Sequence, residues 1–355
     1  MVERQRHLPR LAKSHLHEER LELGGLVVLA VVLQVAAGVG MAYVAGFRVM
    51  DHVLAGVRWP WVGGVAGGLL LASVGSYYAT SGIYQVGDGP RLRRRQLRSV
   101  VIAGFSGFLA RGGSGLDKYA IEAAGRDERE ARVRIEAFGG LEHGVLSLFG
   151  TAAGITLLVM ALSVPPLDFS VPWAVIPVPG FLLAFWLAGR YAPRLREAGG
   201  WRGGAGVFLD AILLIRRLFT RDLLRHPAVF GMLLFWAAEM FSIWSGLAAF
   251  GFHMNAAQLV IGAGTGMLFT RRTGPLAGAG ILVVTLSASI WYSGAPLAVA
   301  VAGVFAYRAF ALWLPMSFGL AQIPTLRAMG ERAEPGAGGT AAAEGEPALP
   351  DRKAS

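Results

Sequence analysis

The sequence predicts an all-α, polytopic helical membrane protein, with about six full spans plus two re-entrant hairpins in an inverted-repeat arrangement. Hydrophobic residues make up 54% of the 355-residue chain and charged residues only 16%, where about 25% charged residues would be ordinary for a soluble domain. Several uncharged runs reach the roughly 20 residues that a helix needs to cross a bilayer. The 49 glycines fit this class, because small residues let membrane helices approach closely.

The expected spans are uncharged or carry a single charge. Glu239 interrupts the fifth span and Arg308 interrupts the sixth. We expect each span to be a helix, because backbone groups in lipid must find their hydrogen-bond partners within the protein. In chain order the spans are Leu23–Phe47, Trp59–Gly87, Gly144–Leu167, Phe169–Gly189, Pro227–Gly251 and Ala295–Ile323.

Basic residues fix the expected orientation. They cluster before the first span, in the segments Arg91–Arg98, Arg126–Arg134 and Arg190–Arg225, and in the tail, whereas only Arg48 and Arg58 fall in a loop on the other side. The positive-inside rule then places both termini in the cytoplasm of a multi-pass protein of the cell (plasma) membrane. We attribute the net charge of +10 to orientation and to anionic lipids rather than to nucleic acid, because the basic clusters flank spans.

Two segments do not fit as simple spans. Residues 99–125 turn through a glycine-rich stretch between basic loops, so they should enter and leave on the cytoplasmic side. Residues 255–292 turn at Arg271 and Arg272 and should enter and leave on the outer side; an ordinary span over Ile281–Trp291 is the alternative. The order of elements predicts two inverted halves, 23–162 and 163–328, with a site between them near the midplane.

The remaining segments are expected outside the hydrocarbon core. Residues 1–22 form a basic cytoplasmic arm, residues 207–225 an amphipathic interfacial helix, and residues 329–355 a disordered cytoplasmic tail. The histidines near the first span fit a solvated arm better than a metal site, and the chain has no cysteine. We therefore expect no metal and no cofactor.

Arg308 is the strongest pointer to a functional site. A charge near the bilayer centre usually faces a bundle interior, a water-filled cavity or a partner charge. Arg308 and Glu239 each lie about 16–20 Å into their spans at 1.5 Å per residue, so both should face one interior near the midplane. Two separate buried polar sites are the alternative.

Six further charges complete the candidate site. Arg271 and Arg272 could reach a similar depth or remain interface anchors, and Glu142 could line a cytoplasmic vestibule or snorkel to the surface. For the charges around the first hairpin turn, local pairing is the main alternative to a role in the site. These are Arg111, Asp117 and Lys118.

Several stretches resemble the lysylphosphatidylglycerol synthase transmembrane family, a flippase-like domain. The glycine-rich stretch Thr273–Ile281 is similar to the turn of its second half, and Gly294–Ala300 with Tyr307 and Arg308 is similar to its last helix. The segment Gly112–Ala120 and the Glu142–His143 pair are similar to its first half. The family often carries a Glu shortly after the turn, where this chain has Leu282 to Thr285. In place of the soluble aminoacyl-transferase domain that some relatives carry, a short tail follows, so the resemblance does not imply aminoacyl transfer by this chain.

Charge pattern and resemblance together favour a translocase that moves an anionic or aminoacylated phospholipid, or a lipid-linked head group, between leaflets. Guanidinium groups on the path would match the phosphate. Two alternatives stay open: a membrane-embedded transferase or hydrolase, using Asp117, Glu142 or Glu239 as acid or base, and a non-catalytic partner of an envelope-lipid enzyme. The expected partners are phospholipid and membrane, with a homo-oligomer and a separate lipid-synthesising enzyme as further candidates.

Overall fold

In the computed structural model every regular element is a helix among the residues that the structure describes. The described residues are 8–105, 118, 120–160, 167–196, 198–219, 223–268, 278–313, 315, 318, 321, 322 and 325. The helices are α1 (Leu8–Ala45), α2 (Phe47–Ala55), α3 (Trp59–Gln85), α4 (Arg94–Phe105), α5 (Glu128–Val159), α6 (Leu167–Val175), α7 (Pro177–Leu195), α8 (Gly200–Arg216), α9 (Pro227–Ala249), α10 (Ala256–Leu268), α11 (Ala279–Tyr292) and α12 (Leu297–Arg308). A 3₁₀ turn at Leu223–Arg225 precedes α9, and a π-helical turn at Ala309–Trp313 continues α12.

Five helical segments in the described part of the chain are long and apolar enough to cross a membrane. They correspond to the first five expected spans: Val28–Ala45, Trp59–Gln85, Glu128–Val159, Leu167–Leu195 and Pro227–Ala249. The sixth expected span is described only as the shorter apolar segment Leu297–Trp313. Large apolar side chains are exposed on the outside of the bundle, among them Leu70, Leu182 and Trp186. A helical membrane protein follows from these features.

Helix α5 begins at Glu128, well before the expected start at Gly144. The Asp127 side chain accepts a 2.7 Å hydrogen bond from the Glu130 N–H and caps the helix. Acidic residues in the first turn suit the positive end of the helix dipole. With 32 residues, α5 is about 48 Å long, so its charged first turns extend beyond a hydrocarbon core of about 30 Å.

Helices α3 and α9 pack antiparallel along most of their length, and glycine makes this possible. A Cβ atom on Gly75 would lie 2.5 Å from the Phe235 backbone nitrogen, and one on Gly82 would collide with Ala228. Real Cβ atoms never come so close, so the two backbones can touch only where the side chain is missing. This helix pair forms the centre of the bundle, with Ala72, Ala79 and Met232 fully buried.

The two arms of the second expected hairpin, α10 and α11, pack against each other. The Thr285 hydroxyl donates a 3.2 Å hydrogen bond to the Gly266 carbonyl, and a Cβ on Gly262 would meet the Ser293 side chain. The arms have 13 and 14 residues, fewer than the roughly 20 that a crossing needs. The turn itself, residues 269–277, lies outside the described residues.

Of the first expected hairpin, the structure describes α4 and the residues from 118 onward, apart from 119, but not the turn. The Ser99 hydroxyl of α4 donates a 2.9 Å hydrogen bond to the Gln322 Oε1 atom beyond α12. The first hairpin therefore contacts the end of the second half, across the division between the two halves.

The bounds of the amphipathic helix differ from the expected 207–225. The helix begins at Gly200 and ends at Arg216, and a separate 3₁₀ turn follows. Ile212 is buried, whereas Phe208 and Phe219 are about half exposed, so the apolar side chains of this segment are only partly covered by protein. The helix is held at its polar side, where Asp210 accepts hydrogen bonds from Arg129 and Arg196.

Candidate functional site

Arg308 lies at the end of α12 and is buried, with only 5% of its surface exposed. Its neighbour Tyr307 is 2% exposed. Helix α12 packs against α1, α9 and α11, so the guanidinium lies within the bundle and not on its apolar outer surface. Such a position requires polar surroundings, because a buried charge is costly unless it is paired or hydrogen-bonded.

Glu239 is joined to the same segment by a short hydrogen bond. The Tyr307 hydroxyl donates to Glu239 Oε2 at 2.6 Å, and Glu239 is 1% exposed. A hydroxyl-to-carboxylate bond of this length is charge-assisted and among the stronger hydrogen bonds in proteins. The structure therefore brings Glu239 beside the Tyr307–Arg308 segment.

Close helix packing positions this pair. A Cβ atom on Gly246 of α9 would lie 2.7 Å from the Gly303 carbonyl of α12, so the two backbones touch. Glu239 lies two turns before Gly246 on α9, and Tyr307 lies one turn after Gly303 on α12, as an antiparallel pair requires. Counted from Pro227, Glu239 is about 18 Å into α9, which is close to the middle of that span.

A second carboxylate residue, Glu142, is buried on α5, a helix that contacts α9. The Trp236 indole N–H donates a 2.7 Å hydrogen bond to the Glu142 carbonyl, and Trp236 precedes Glu239 by less than one turn of α9. Glu142 is 4% exposed, so its side chain does not snorkel to the surface. The His143 side chain contacts the backbone of its own helix, where its Nδ1 lies 2.9 Å from the Gly139 carbonyl.

Three of the eight predicted site residues are thus buried on α9 and on two helices that contact it: Glu239 on α9, Glu142 on α5 and Arg308 on α12. The guanidinium has five N–H donors in a planar fork, and the carboxylates accept only. We call this group of residues the polar cluster: Glu142, Trp236, Glu239, Tyr307 and Arg308. It places acidic and basic side chains inside an apolar bundle. A guanidinium buried in this way suits an anionic oxygen ligand.

Lys118 lies elsewhere, near the start of α5. Its Nζ is 3.0 Å from Glu128 and 3.6 Å from Glu122, and the hydrogen bond to Glu128 raises the pKa of Lys118 above its usual value. Glu128 lies about 21 Å along α5 from Glu142. Local pairing therefore accounts for Lys118. The other four predicted residues lie outside the described residues: Arg111, Asp117, Arg271 and Arg272.

A buried arginine that the sequence did not single out joins α5 to the end of α3. Arg134 is 4% exposed and donates to the Tyr84 carbonyl at 2.7 Å and to the Val86 carbonyl at 3.0 Å. Its other nitrogens bond Glu130 at 2.7–3.0 Å. These carbonyls belong to the last turn of α3, where helical partners are missing, so Arg134 caps α3.

Tyr307 and Trp236 were also missed as site residues. Tyr307 stood out only as the neighbour of Arg308 in a family-like stretch, and Trp236 is one of nine tryptophans in an apolar chain. A hydroxyl one residue from an intramembrane arginine is the one sequence signal that could have indicated Tyr307. No cluster of three or more His, Cys, Asp or Glu side chains placed for a metal ion occurs among the described residues.

The fold and this cluster define the chain as a helical membrane protein with a buried polar site. Comparison of the chain with protein-family models, with curated proteins and with solved structures found no match.

Proposed function

We propose that this protein is a lipid translocase of the plasma membrane, which moves an anionic or aminoacylated phospholipid, or a lipid-linked head group, between leaflets. The observation that carries the proposal is the buried polar cluster, in which the buried Arg308 follows Tyr307, the donor of a 2.6 Å hydrogen bond to Glu239. A phospholipid phosphate can enter hydrocarbon only where a cation and hydrogen-bond donors replace its hydration. An arginine offers both, in the fork geometry that fits phosphate oxygens.

The position of the cluster suits movement between leaflets. Glu239 lies near the middle of α9, so a head group bound there would be about equally far from both surfaces. A site at the membrane midplane between two repeats is the usual arrangement in transporters with inverted halves. Both charges would be needed: the arginine attracts the phosphate, and the carboxylates keep the site from holding it too tightly.

The packing of α3 against α9 supports the inverted repeat within this proposal. These helices occupy the same place in the two expected halves, and equivalent elements meet where a pseudo-two-fold axis passes. The Ser99–Gln322 hydrogen bond and the contact of α10 with α5 agree with this symmetry, because each joins the first arm of one hairpin to the last expected span of the other half. We propose that α10 and α11 are the arms of a re-entrant hairpin.

The resemblance to the lysylphosphatidylglycerol synthase transmembrane family points to the same function. The resembling residues Tyr307 and Arg308 belong to the polar cluster, as does Glu142. Within this proposal the chain acts with a separate lipid-synthesising enzyme.

A reconstitution experiment tests the function. The purified protein is placed in vesicles with a trace of tail-labelled fluorescent anionic phospholipid, and a membrane-impermeant reductant then bleaches the outer leaflet. We expect wild-type vesicles to lose nearly all fluorescence and protein-free vesicles to keep that of the inner leaflet. Retention of inner-leaflet fluorescence with folded protein would contradict translocation. Conversion of the lipid to a new species would favour the transferase or hydrolase alternative.

A further inference from the structure

Gln34 is a buried amide in the first span that the polar cluster does not include. It lies on α1 with no exposed surface. Its Nε2 and Oε1 atoms are both buried, and neither makes a hydrogen bond to any residue in the described part of the chain. Buried amides almost always have partners, and burial without one is unfavourable. A side chain of this kind points to a polar ligand.

The register of α1 against α12 places Gln34 at the depth of Arg308. Residues Met41, Ala42 and Ala45 pack around the buried Ala298, Val301 and Ala302. One turn along, a Cβ on Gly38 would lie 3.0 Å from the Phe305 ring. The helices are therefore antiparallel here. Moving about 6 Å back from Gly38 reaches Gln34, and moving about 4.5 Å on from Phe305 reaches Arg308.

The face of α1 that carries Gln34 is directed into the bundle. Gln34 precedes Gly38 by four residues, so both lie on the side of α1 that meets α12. The adjacent Leu33 touches α11, because a Cβ on Gly280 would be 2.8 Å from the Leu33 carbonyl. Gln34 thus lies where α1, α11 and α12 converge.

We propose that Gln34 is a head-group specificity residue of the site at Arg308: while the guanidinium holds the phosphate, the amide hydrogen-bonds the hydroxyl or primary amine of the head group. This inference rests on the proposed function. An amide both donates and accepts, and so do hydroxyls. A trimethylammonium group can do neither, so a choline head group would leave the buried amide without a partner. A site built to hydrogen-bond a group discriminates against ligands that lack it.

Gln34→Met tests the assignment, because methionine has a similar length and no hydrogen-bonding groups. The control is Gln85→Met, a change of the same kind at an exposed position at the end of α3. Translocation of glycerol-headed and choline-headed fluorescent phospholipids is compared in reconstituted vesicles. We expect the wild type and Gln85→Met to move the glycerol-headed lipid faster than the choline-headed one. In Gln34→Met the ratio of the two rates should be about tenfold smaller.

A binding measurement separates this inference from the proposed function. Thermal stabilisation of the detergent-solubilised protein by added glycerol-headed and choline-headed lipid is recorded for the same three proteins. If wild-type protein moves no lipid but Gln34→Met abolishes the difference in stabilisation, translocation is wrong and the Gln34 site stands. If Gln34→Met keeps the wild-type preference in both assays, the Gln34 assignment is wrong. Without lipid, Gln34→Met should also melt higher than wild type, because a buried amide without partners has been removed; lower melting would contradict the assignment.

Discussion

The Tyr307 hydroxyl donates a 2.6 Å hydrogen bond to Glu239 Oε2, and this bond joins the middle of α9 to the last turn of α12. The two residues are 1–2% exposed. Water cannot readily replace a donor at such a site, so the carboxylate depends on groups that the fold supplies. The bond fixes Tyr307, the chain neighbour of Arg308, against the middle of α9.

Tyr307→Phe should destabilise the protein by about 1–3 kcal/mol, because it removes a donor from a buried carboxylate and adds nothing in its place. Tyr43→Phe is the matched control, since Tyr43 is 72% exposed and should lose almost nothing. Equilibrium unfolding in mixed micelles measures both. Equal stability of the two variants would mean that the Tyr307–Glu239 bond contributes nothing to folding.

A double-mutant cycle on Glu239→Gln and Arg308→Gln tests whether these two residues share one site. If they do, each single change removes the opposite charge from the buried partner, typically at about 3–5 kcal/mol for a fully buried pair. The double variant should then lose less than the two single losses added together. Additive losses would instead support the alternative of two separate buried polar sites.

The glycines of α3 are predicted to differ in their tolerance of alanine. Gly75→Ala should cost about 1–3 kcal/mol, because the new methyl group would overlap the Phe235 backbone and push α9 away. A Cβ on Gly67 of the same helix meets nothing within 4 Å, so Gly67→Ala should be neutral or slightly stabilising. Both are measured by unfolding in mixed micelles. A neutral Gly75→Ala would show that α3 and α9 are not in backbone contact.

The stability of α9 should depend on pH through His226, whose Nδ1 accepts a 3.2 Å hydrogen bond from the Ala228 N–H. Burial lowers the pKa of His226 from its usual 6.5. The unfolded chain therefore binds this proton at a higher pH than the folded one, and stability is lost as the pH falls below about 6.5.

His226→Asn keeps an acceptor at the start of α9 but does not titrate. The thermal midpoints of this variant and of wild type are measured from about pH 7.5 to about pH 5.5. As the pH falls, the midpoint of wild type should decrease more than that of the variant. A difference that stays constant over this range would exclude His226 as the titrating group.

Much of the fold follows from the sequence because the bilayer imposes simple rules. Uncharged length predicted the first five candidate spans, and the cost of burying a charge predicted that Glu239 and Arg308 avoid the outer surface. The Tyr307–Glu239 bond could not be predicted, because it joins residues 68 positions apart and the pattern of apolar residues does not show which helices contact each other. The early start of α5 was missed because the span was expected to begin where the charges end, whereas the Asp127 cap begins the helix in its charged part. Gln34 was missed because a single uncharged amide hardly interrupts an apolar run.

Translocation by the Arg308→Lys variant tests the central claim most directly. Lysine keeps the positive charge but lacks the planar fork that binds two phosphate oxygens at once. Arg132→Lys is the matched control, because the Arg132 side chain on α5 is 61% exposed. In the vesicle assay with fluorescent anionic phospholipid, we predict that Arg132→Lys moves lipid at the wild-type rate and that Arg308→Lys is slowed about tenfold or more while its thermal midpoint is nearly unchanged. Wild-type translocation by a folded Arg308→Lys variant would contradict the claim that Arg308 holds the phosphate.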